Sequence, residues 1–148
     1  MVDRARENAA KGDYEHVSFR LGEIEHLPVA DQSVDVILSN CVINLVPDKR
    51  PVYQEAYRVL KPGGRLAISD VVALKPLDLA LRTDMKLWAS CASGASLVSE
   101  LAAMLEEIGF TEVSIEVNPQ SREFIQKWSP DKGLEELVAA AKIGARKP

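Results

Sequence analysis

The sequence predicts an α/β fold, in which strands and helices alternate around a parallel sheet. Two runs of aliphatic and β-branched residues, 34–38 and 65–73, have the length and composition of buried strands. Between them, residues 48–60 show helical periodicity, with their apolar side chains on one face. A strand, a helix and a second strand in this order are typical of a parallel sheet with crossover helices.

The composition is that of one globular domain without an obvious macromolecular partner. The chain has 148 residues, of which 47% are hydrophobic, and a formal net charge of −4. That is enough apolar material for a core, and the absence of an arginine cluster argues against nucleic acid. No apolar run approaches the length of a membrane span. Two cysteines without a signal peptide indicate a reducing, cytoplasmic setting.

The segments before the central strand are predicted to be short. Residues 1–11 alternate charge with alanine, which predicts a helix that ends at the following glycine. Residues 16–21 alternate in the manner of a strand. A loop is expected at residues 22–28, and a turn at residues 31–33 leads into the strand at residues 34–38, which we expect to be buried on both faces.

After the second strand the chain is predicted to form two more helices. The first spans residues 77–89 and is followed by a loop of small residues, 91–95. Ser96 is the expected N-cap of the second helix, which runs through Glu107 and ends before Gly109.

The C-terminal part contains one more clear strand pattern and one ambiguous segment. Residues 111–117 are predicted to be a strand, residues 122–128 a short helical turn, and residues 129–133 a polar loop. Residues 134–146 are ambiguous by periodicity, although their alanines favour a helix.

Small polar residues follow the central strand. Ser39, Asn40 and Cys41 replace the aliphatic residues at this point. In an open α/β sheet, ligands bind beyond the carboxyl ends of the strands. This tip therefore offers a hydroxyl, an amide and a thiol at a candidate site, although a free cysteine taken alone is more often a small buried hydrophobe.

Three features together resemble a known enzyme family. They are the acidic loop at residues 22–28, the strand 34–39 with its polar tip, and the sequence RVLKPGG at residues 58–64 before a strand. This combination resembles class I S-adenosylmethionine (SAM) methyltransferases with a Rossmann-like sheet, and residues 39–64 are closer still to arsenite methyltransferases. Cys91, in the sequence CASGA, looks like the second core thiol of that family.

The chain departs from that family at its start. It has neither the glycine-rich motif nor the ribose-binding acid that accompany the first two strands of these enzymes. Residues 1–148 are therefore expected to form a partial methyltransferase domain, truncated at the N-terminus. Residues 34–38 would then form an exposed edge. We expect residues 16–21 to pair with this edge, or a partner to cover it, for example through self-association. The resemblance also favours a final strand at residues 138–145, antiparallel to its predecessor.

The resemblance assigns both cysteines to the substrate. Arsenite is a soft electrophile, and thiolates are the soft ligands that proteins offer. Cys41 and Cys91 are thus expected to be catalytic residues that hold As(III), supplied as arsenite or as its thiol conjugate. The arsenic lone pair would attack the sulfonium methyl of SAM, so catalysis would consist mostly of positioning. A thiol reductant is the expected partner.

The resemblance also implies a set of residues that bind SAM. Gly22, Glu23 and Ile24 resemble the adenine-binding turn, in which the acid accepts from the exocyclic amine and the next N–H meets the ring. Asn40 and Val42 would face the methionine or ribose side of the cofactor. Structural alternatives are a solvated acid at Glu23 and a turn cap at Asn40.

Two other functions remain open. One alternative is a methyltransferase that acts on another small acceptor, such as a quinone or a sterol. The other is a non-catalytic fragment that binds a metalloid or a partner without SAM. The missing glycine motif favours the fragment, because that motif supplies many of the contacts that hold the cofactor.

Three further polar features have weaker claims to a functional role. Asn44 is a weaker candidate for the cofactor site. His26 is not needed as a base, since an arsenic lone pair carries no proton. The charged run 48–50 is interpreted as a solvated helix start.

Overall fold

A four-stranded sheet forms the centre of the structure. The computed structural model describes all 148 residues and arranges the strands in the order β1-β2-β4-β3. The strands are β1 (Val34–Asn40), β2 (Leu60–Ala73), β3 (Thr111–Val117) and β4 (Val138–Arg146). β1 is parallel to β2, whereas β4 is antiparallel to both β2 and β3. The predicted α/β class and the antiparallel C-terminal pair are confirmed.

Six α-helices connect or flank these strands. They are α1 (Val2–Lys11), α2 (Arg50–Val59), α3 (Leu79–Arg82), α4 (Met85–Ala89), α5 (Val98–Ile108) and α6 (Arg122–Gln126). Short 3-10 turns occupy Ile43–Leu45, Pro119–Ser121 and Leu134–Glu136. Not one of these helices combines the length and the hydropathy that crossing a membrane requires.

One face of the sheet carries the main core. The inward residues of β2, including Leu66 and Ile68, pack in a cluster of fifteen buried residues with side chains of α2 and α5 such as Val52 and Leu105. On the other face of β2, Arg65, Ala67 and Ser69 are exposed, whereas Val71 and Ala73 are buried in a second cluster of ten residues. Asp70 takes one of the inward positions of β2, so this strand carries an acid where its pattern calls for an apolar side chain.

The prediction of a strand at residues 16–21 is wrong. These residues are exposed and form no regular secondary structure. A strand needs a neighbour to satisfy its backbone groups, and none lies beside this segment. Residues 16–21 do not pair with β1, which remains an edge strand. Leu38 is 78% exposed, so β1 is not buried on both faces. Self-association through this edge stays a prediction.

The predicted helix at residues 77–89 is two helices in the structure. Asp84 interrupts it, because its carboxylate accepts hydrogen bonds from the N–H groups of Lys86 and Leu87 and thereby caps α4 as a new helix. Asp78 caps α3 in the same way, through the N–H of Leu81.

The sequence predicted Ser96 as the N-cap of α5, and this prediction is wrong. That position belongs to Leu97, which makes no side-chain cap hydrogen bond. Ser96 instead accepts a hydrogen bond from the N–H of Ala73 through its carbonyl at 2.8 Å, which ties the preceding loop to the end of β2. The predicted end of α5 is correct, since Gly109 takes the left-handed conformation that ends many helices, with φ of +113°.

Candidate functional site

Cys41 lies directly beyond the carboxyl end of β1. Its N–H donates to the carbonyl of Ser69 at 2.8 Å, which extends the β1–β2 pairing by one residue and sets Cys41 beside Asp70. The φ angle of Cys41 is +52°, in the left-handed region that residues with a Cβ rarely adopt. A conformation of this kind costs about 1 kcal/mol and occurs preferentially at functional sites.

Cys91 reaches the same place from the loop that follows α4. Its thiol donates to the carbonyl oxygen of Cys41 at 3.2 Å, although the two residues are 50 positions apart. Cys91 is buried and also has a positive φ, +63°. A Cβ at Gly94 would overlap the carbonyl oxygen of Asn44 and lie 2.9 Å from its carbonyl carbon. Glycine therefore allows this loop to lie directly on the 3-10 turn that follows Cys41.

Asp70 is the functional candidate that sequence reasoning missed. The two Sγ atoms and a carboxylate oxygen of Asp70 lie within 4.8 Å of one another. Asp70 is 5% exposed, and its Oδ2 has no hydrogen-bond partner. The signal that identifies Asp70 is an acid at an inward position of the apolar strand β2. It follows Ser69, which pairs with the end of β1.

Asn44 holds this acid in place. Its Nδ2 donates to Asp70 Oδ1 at 3.0 Å and to the carbonyl of Val71 at 2.6 Å. The N–H of Val71 donates to the same Oδ1 at 2.8 Å. The structure thus places Asn44, a weaker cofactor candidate by sequence, at the cysteine cluster.

The environment keeps Cys41 protonated at neutral pH. Partial desolvation of the thiol, the neighbouring Cys91 and the Asp70 carboxylate together raise the pKa of Cys41 to about 12. Burial also raises the pKa of Asp70, against the hydrogen bonds that it accepts and the charge of Lys49. A divalent cation must displace thiol protons to bind here.

Replacing Asp70 by asparagine is expected to lower the pKa of Cys41. Asparagine keeps the size of the side chain but removes a negative charge that disfavours the thiolate. Burial, the largest cause of the shift, is unchanged, so the pKa should stay above the ordinary value of cysteine. The measurement is the pH profile of Cys41 alkylation by iodoacetamide in a Cys91→Ala chain, with Asp48→Asn as control. A profile unmoved by Asp70→Asn would show that the carboxylate charge does not act on Cys41.

The residues predicted to bind the cofactor line two neighbouring cavities. Gly22, Glu23 and Ile24 line a cavity of about 680 Å³. Asn40 and Val42 line a second one of about 320 Å³, to which Ile24 also contributes. The structure therefore brings Ile24 together with the strand tip and leaves Gly22 and Glu23 in the adjoining space.

The smaller cavity has the chemistry that a nucleoside requires. Its lining is mostly apolar, which suits a flat ring. Ser39 borders it and has a buried hydroxyl without a hydrogen-bond partner. Asn40, also on its wall, adds an exposed amide. These residues fit one side of a SAM site.

Residues 1–109 match a family model described as a methyltransferase domain. The chain belongs to this methyltransferase family. The matched region includes both cysteines, Asp70 and the residues lining the smaller cavity, so the candidate site lies within the family's domain.

Among curated proteins, this methyltransferase domain is similar to arsenite methyltransferases. It is 53% identical to that of Halobacterium salinarum over 148 residues, which are 100% of this chain and 38% of the relative. It is 50% identical to that of Homo sapiens over 98 residues, which are 64% of this chain and 26% of the relative. The resemblance seen in the sequence is confirmed. The chain spans less than two-fifths of the length of these relatives.

Solved structures confirm the Rossmann-like class of the methyltransferase domain. An arsenic(III) S-adenosylmethionine methyltransferase from Chlamydomonas reinhardtii matches with a TM-score of 0.63 and 33% identity, over 84% of this chain and 42% of that one. Phosphoethanolamine N-methyltransferase 2 of Haemonchus contortus, in complex with S-adenosyl-L-methionine, matches with a TM-score of 0.76 and 18% identity, over 100% of this chain and 41% of that one. The expected cofactor agrees with these neighbours.

Proposed function

We propose that this methyltransferase domain holds trivalent arsenic between Cys41 and Cys91 for SAM-dependent methylation. The observation that carries the proposal is the convergence of two thiols from separate loops at the carboxyl end of β1, with their sulfur atoms within 4.8 Å. The 53% identity to an arsenite methyltransferase supports arsenic as their ligand.

The proposed binding reaction needs no general base. The S–H groups of Cys41 and Cys91 each condense with an As–OH group, two As–S bonds form, and two water molecules leave. The arsenic keeps its lone pair and one further ligand. SAM, when bound, supplies an electrophilic sulfonium methyl. The cysteines contribute by fixing the arsenic atom and hence the direction of its lone pair, which is catalysis by positioning.

The other predicted residues receive roles around this pair. We assign the apolar wall of the cofactor site to Ile24 and Val42 and its hydrogen-bonding groups to Asn40 and Glu23, with Gly22 shaping the turn. A thiol reductant is required because two thiols this close form a disulfide on oxidation. The cytoplasmic setting indicated by the sequence would keep them reduced.

The proposal is tested by two titrations and one assay on the reduced 148-residue chain. Calorimetric titration with SAM should show saturable binding near one site per chain, and titration with arsenite should do the same. Incubation with both and a reductant should then yield methylated arsenic. Absence of arsenite binding, or undiminished arsenite methylation by a Cys41→Ser chain, would refute the proposal. Activity of that variant on an organic acceptor would favour the alternative methyltransferase.

A further inference from the structure

A polar cavity separate from the cysteine cluster borders the same loop. Its volume is about 250 Å³, and residues 93–96, which follow Cys91, form one wall. Lys49, Arg82 and Trp88 line it as well. No residue predicted to bind arsenic or SAM takes part.

Lys49 is a buried residue whose ammonium group makes no direct hydrogen bond or ion pair. It is 8% exposed, although the sequence indicated a solvated helix start. Its ammonium group forms no ion pair with a carboxylate. The chain's other buried lysine, Lys147, donates to the carbonyls of Tyr57 and Leu60 at 2.7 and 2.8 Å. The buried Asp70 carboxylate acts on this charge without forming an ion pair, so the ammonium group has no anion in direct contact. An anion that binds in the cavity would supply that contact.

Arg82 adds a second cation to this cavity. Its Nε donates to the carbonyl of Leu77 at 3.2 Å, which leaves the end of the guanidinium available. Burial and the charge of Arg82 lower the pKa of Lys49, whereas Asp70 and Asp48 act in the opposite direction. An anion placed between the two cations would relieve their repulsion.

The acids around the cavity do not take that place. The Asp48 carboxylate accepts the N–H of Arg50 at 3.0 Å at the start of α2. Glu100 lines the cavity but is exposed in the first turn of α5. Neither forms an ion pair with Lys49 or Arg82.

We propose that this cavity binds a small carboxylate or another oxyanion between Lys49 and Arg82. The guanidinium fork matches two oxygens of such a group, and the lysine adds a point charge. Trp88 supplies an apolar flank. Two sources share this chemistry: a free oxyanion, or a carboxylate of a thiol peptide that delivers arsenic to the neighbouring loop. Only the second source depends on the proposed function.

The test uses two probes. One is S-methylglutathione, a peptide that has carboxylates and no free thiol, and the other is inorganic phosphate. Binding is followed by Trp88 fluorescence in a Trp128→Phe chain. We expect a saturable change that Lys49→Met and Arg82→Gln each weaken at least about tenfold. Lys86→Met, on the neighbouring helix α4 and outside the cavity lining, is the matched control and should bind as the parent does.

The possible results distinguish the two sources of the anion from each other, and they also show whether the cavity binds an anion at all. Binding of the peptide that phosphate does not displace identifies the thiol peptide as the source. Displacement by phosphate identifies a general oxyanion site. Binding of neither probe, or equal binding by Lys49→Met and the parent, would overturn the proposal. Lys49→Met keeps the apolar stem of the side chain, and a melting temperature close to that of the parent shows that the variant is folded. Because the peptide has no free thiol, the titration succeeds or fails independently of arsenic binding.

Discussion

Replacing either Cys41 or Cys91 by serine is expected to weaken arsenite binding at least about 100-fold, because one of the two As–S bonds is lost. Once one thiol has bound arsenic, the second thiol is present at an effective concentration that is millimolar or higher. A serine oxygen is a hard ligand and does not replace the thiol. The measurement is equilibrium dialysis of the reduced chain against arsenite with arsenic quantified by mass spectrometry. A phosphine reductant is required, since a thiol reductant would compete for arsenic.

Cys41→Gly is the control that separates ligand loss from misfolding. Glycine adopts the left-handed φ of this position freely, so this variant loses the thiol and relieves the backbone strain. It should bind arsenite as poorly as Cys41→Ser while melting at the same temperature as the parent or higher. Retention of arsenite by the single-cysteine variants at parental affinity would contradict the two-thiol site.

Gly94→Ala is expected to destabilise the domain by about 2–3 kcal/mol, the upper part of the range for overpacking, because the added methyl group meets backbone atoms. The added methyl would meet the Asn44 carbonyl, which belongs to a 3-10 turn with two buried residues, Ile43 and Asn44. The loop would have to move away, and the thiol of Cys91 would leave the carbonyl of Cys41. Chemical denaturation should show the loss of stability, and dialysis should show a parallel loss of arsenite binding.

Gly133→Asn provides the matched control for this substitution. Gly133 has a positive φ, +59°, and a Cβ at this position would meet no atom within 4 Å. Asparagine tolerates the left-handed region, so the change should stay within about 0.5 kcal/mol of the parent. Equal stability of Gly94→Ala and the parent would mean that the loop does not depend on close approach to Asn44.

The sequence predicts most of the sheet because its strands carry local signals. The aliphatic runs identify β1 and β2, and the bounds predicted for β3 match the structure. β4 is different, since its alanines favour a helix. Its position between β2 and β3 makes it a strand, and that pairing is not encoded locally. The segment 16–21 fails for the converse reason: its pattern suits a strand, but no neighbour pairs with it.

The candidate site is only half visible in the sequence. Both cysteines are identified there, but a separation of 50 residues gives no distance. The parallel register of β1 and β2 and the close approach at Gly94 bring them together. The positive φ angles of Cys41 and Cys91 have no sequence signature. Lys49 resembles a surface residue in the sequence, because burial of a charge depends on what packs around it.

Arsenic X-ray absorption on the reduced chain with one equivalent of arsenite tests the two-thiol site most directly. With a phosphine as reductant, every sulfur neighbour of arsenic must come from Cys41, Cys91 or a methionine. We predict a shell with two sulfur atoms and one oxygen, which becomes one sulfur and two oxygens in Cys91→Ser. An oxygen-only shell in the parent chain, or a spectrum unchanged by Cys91→Ser, would contradict the account.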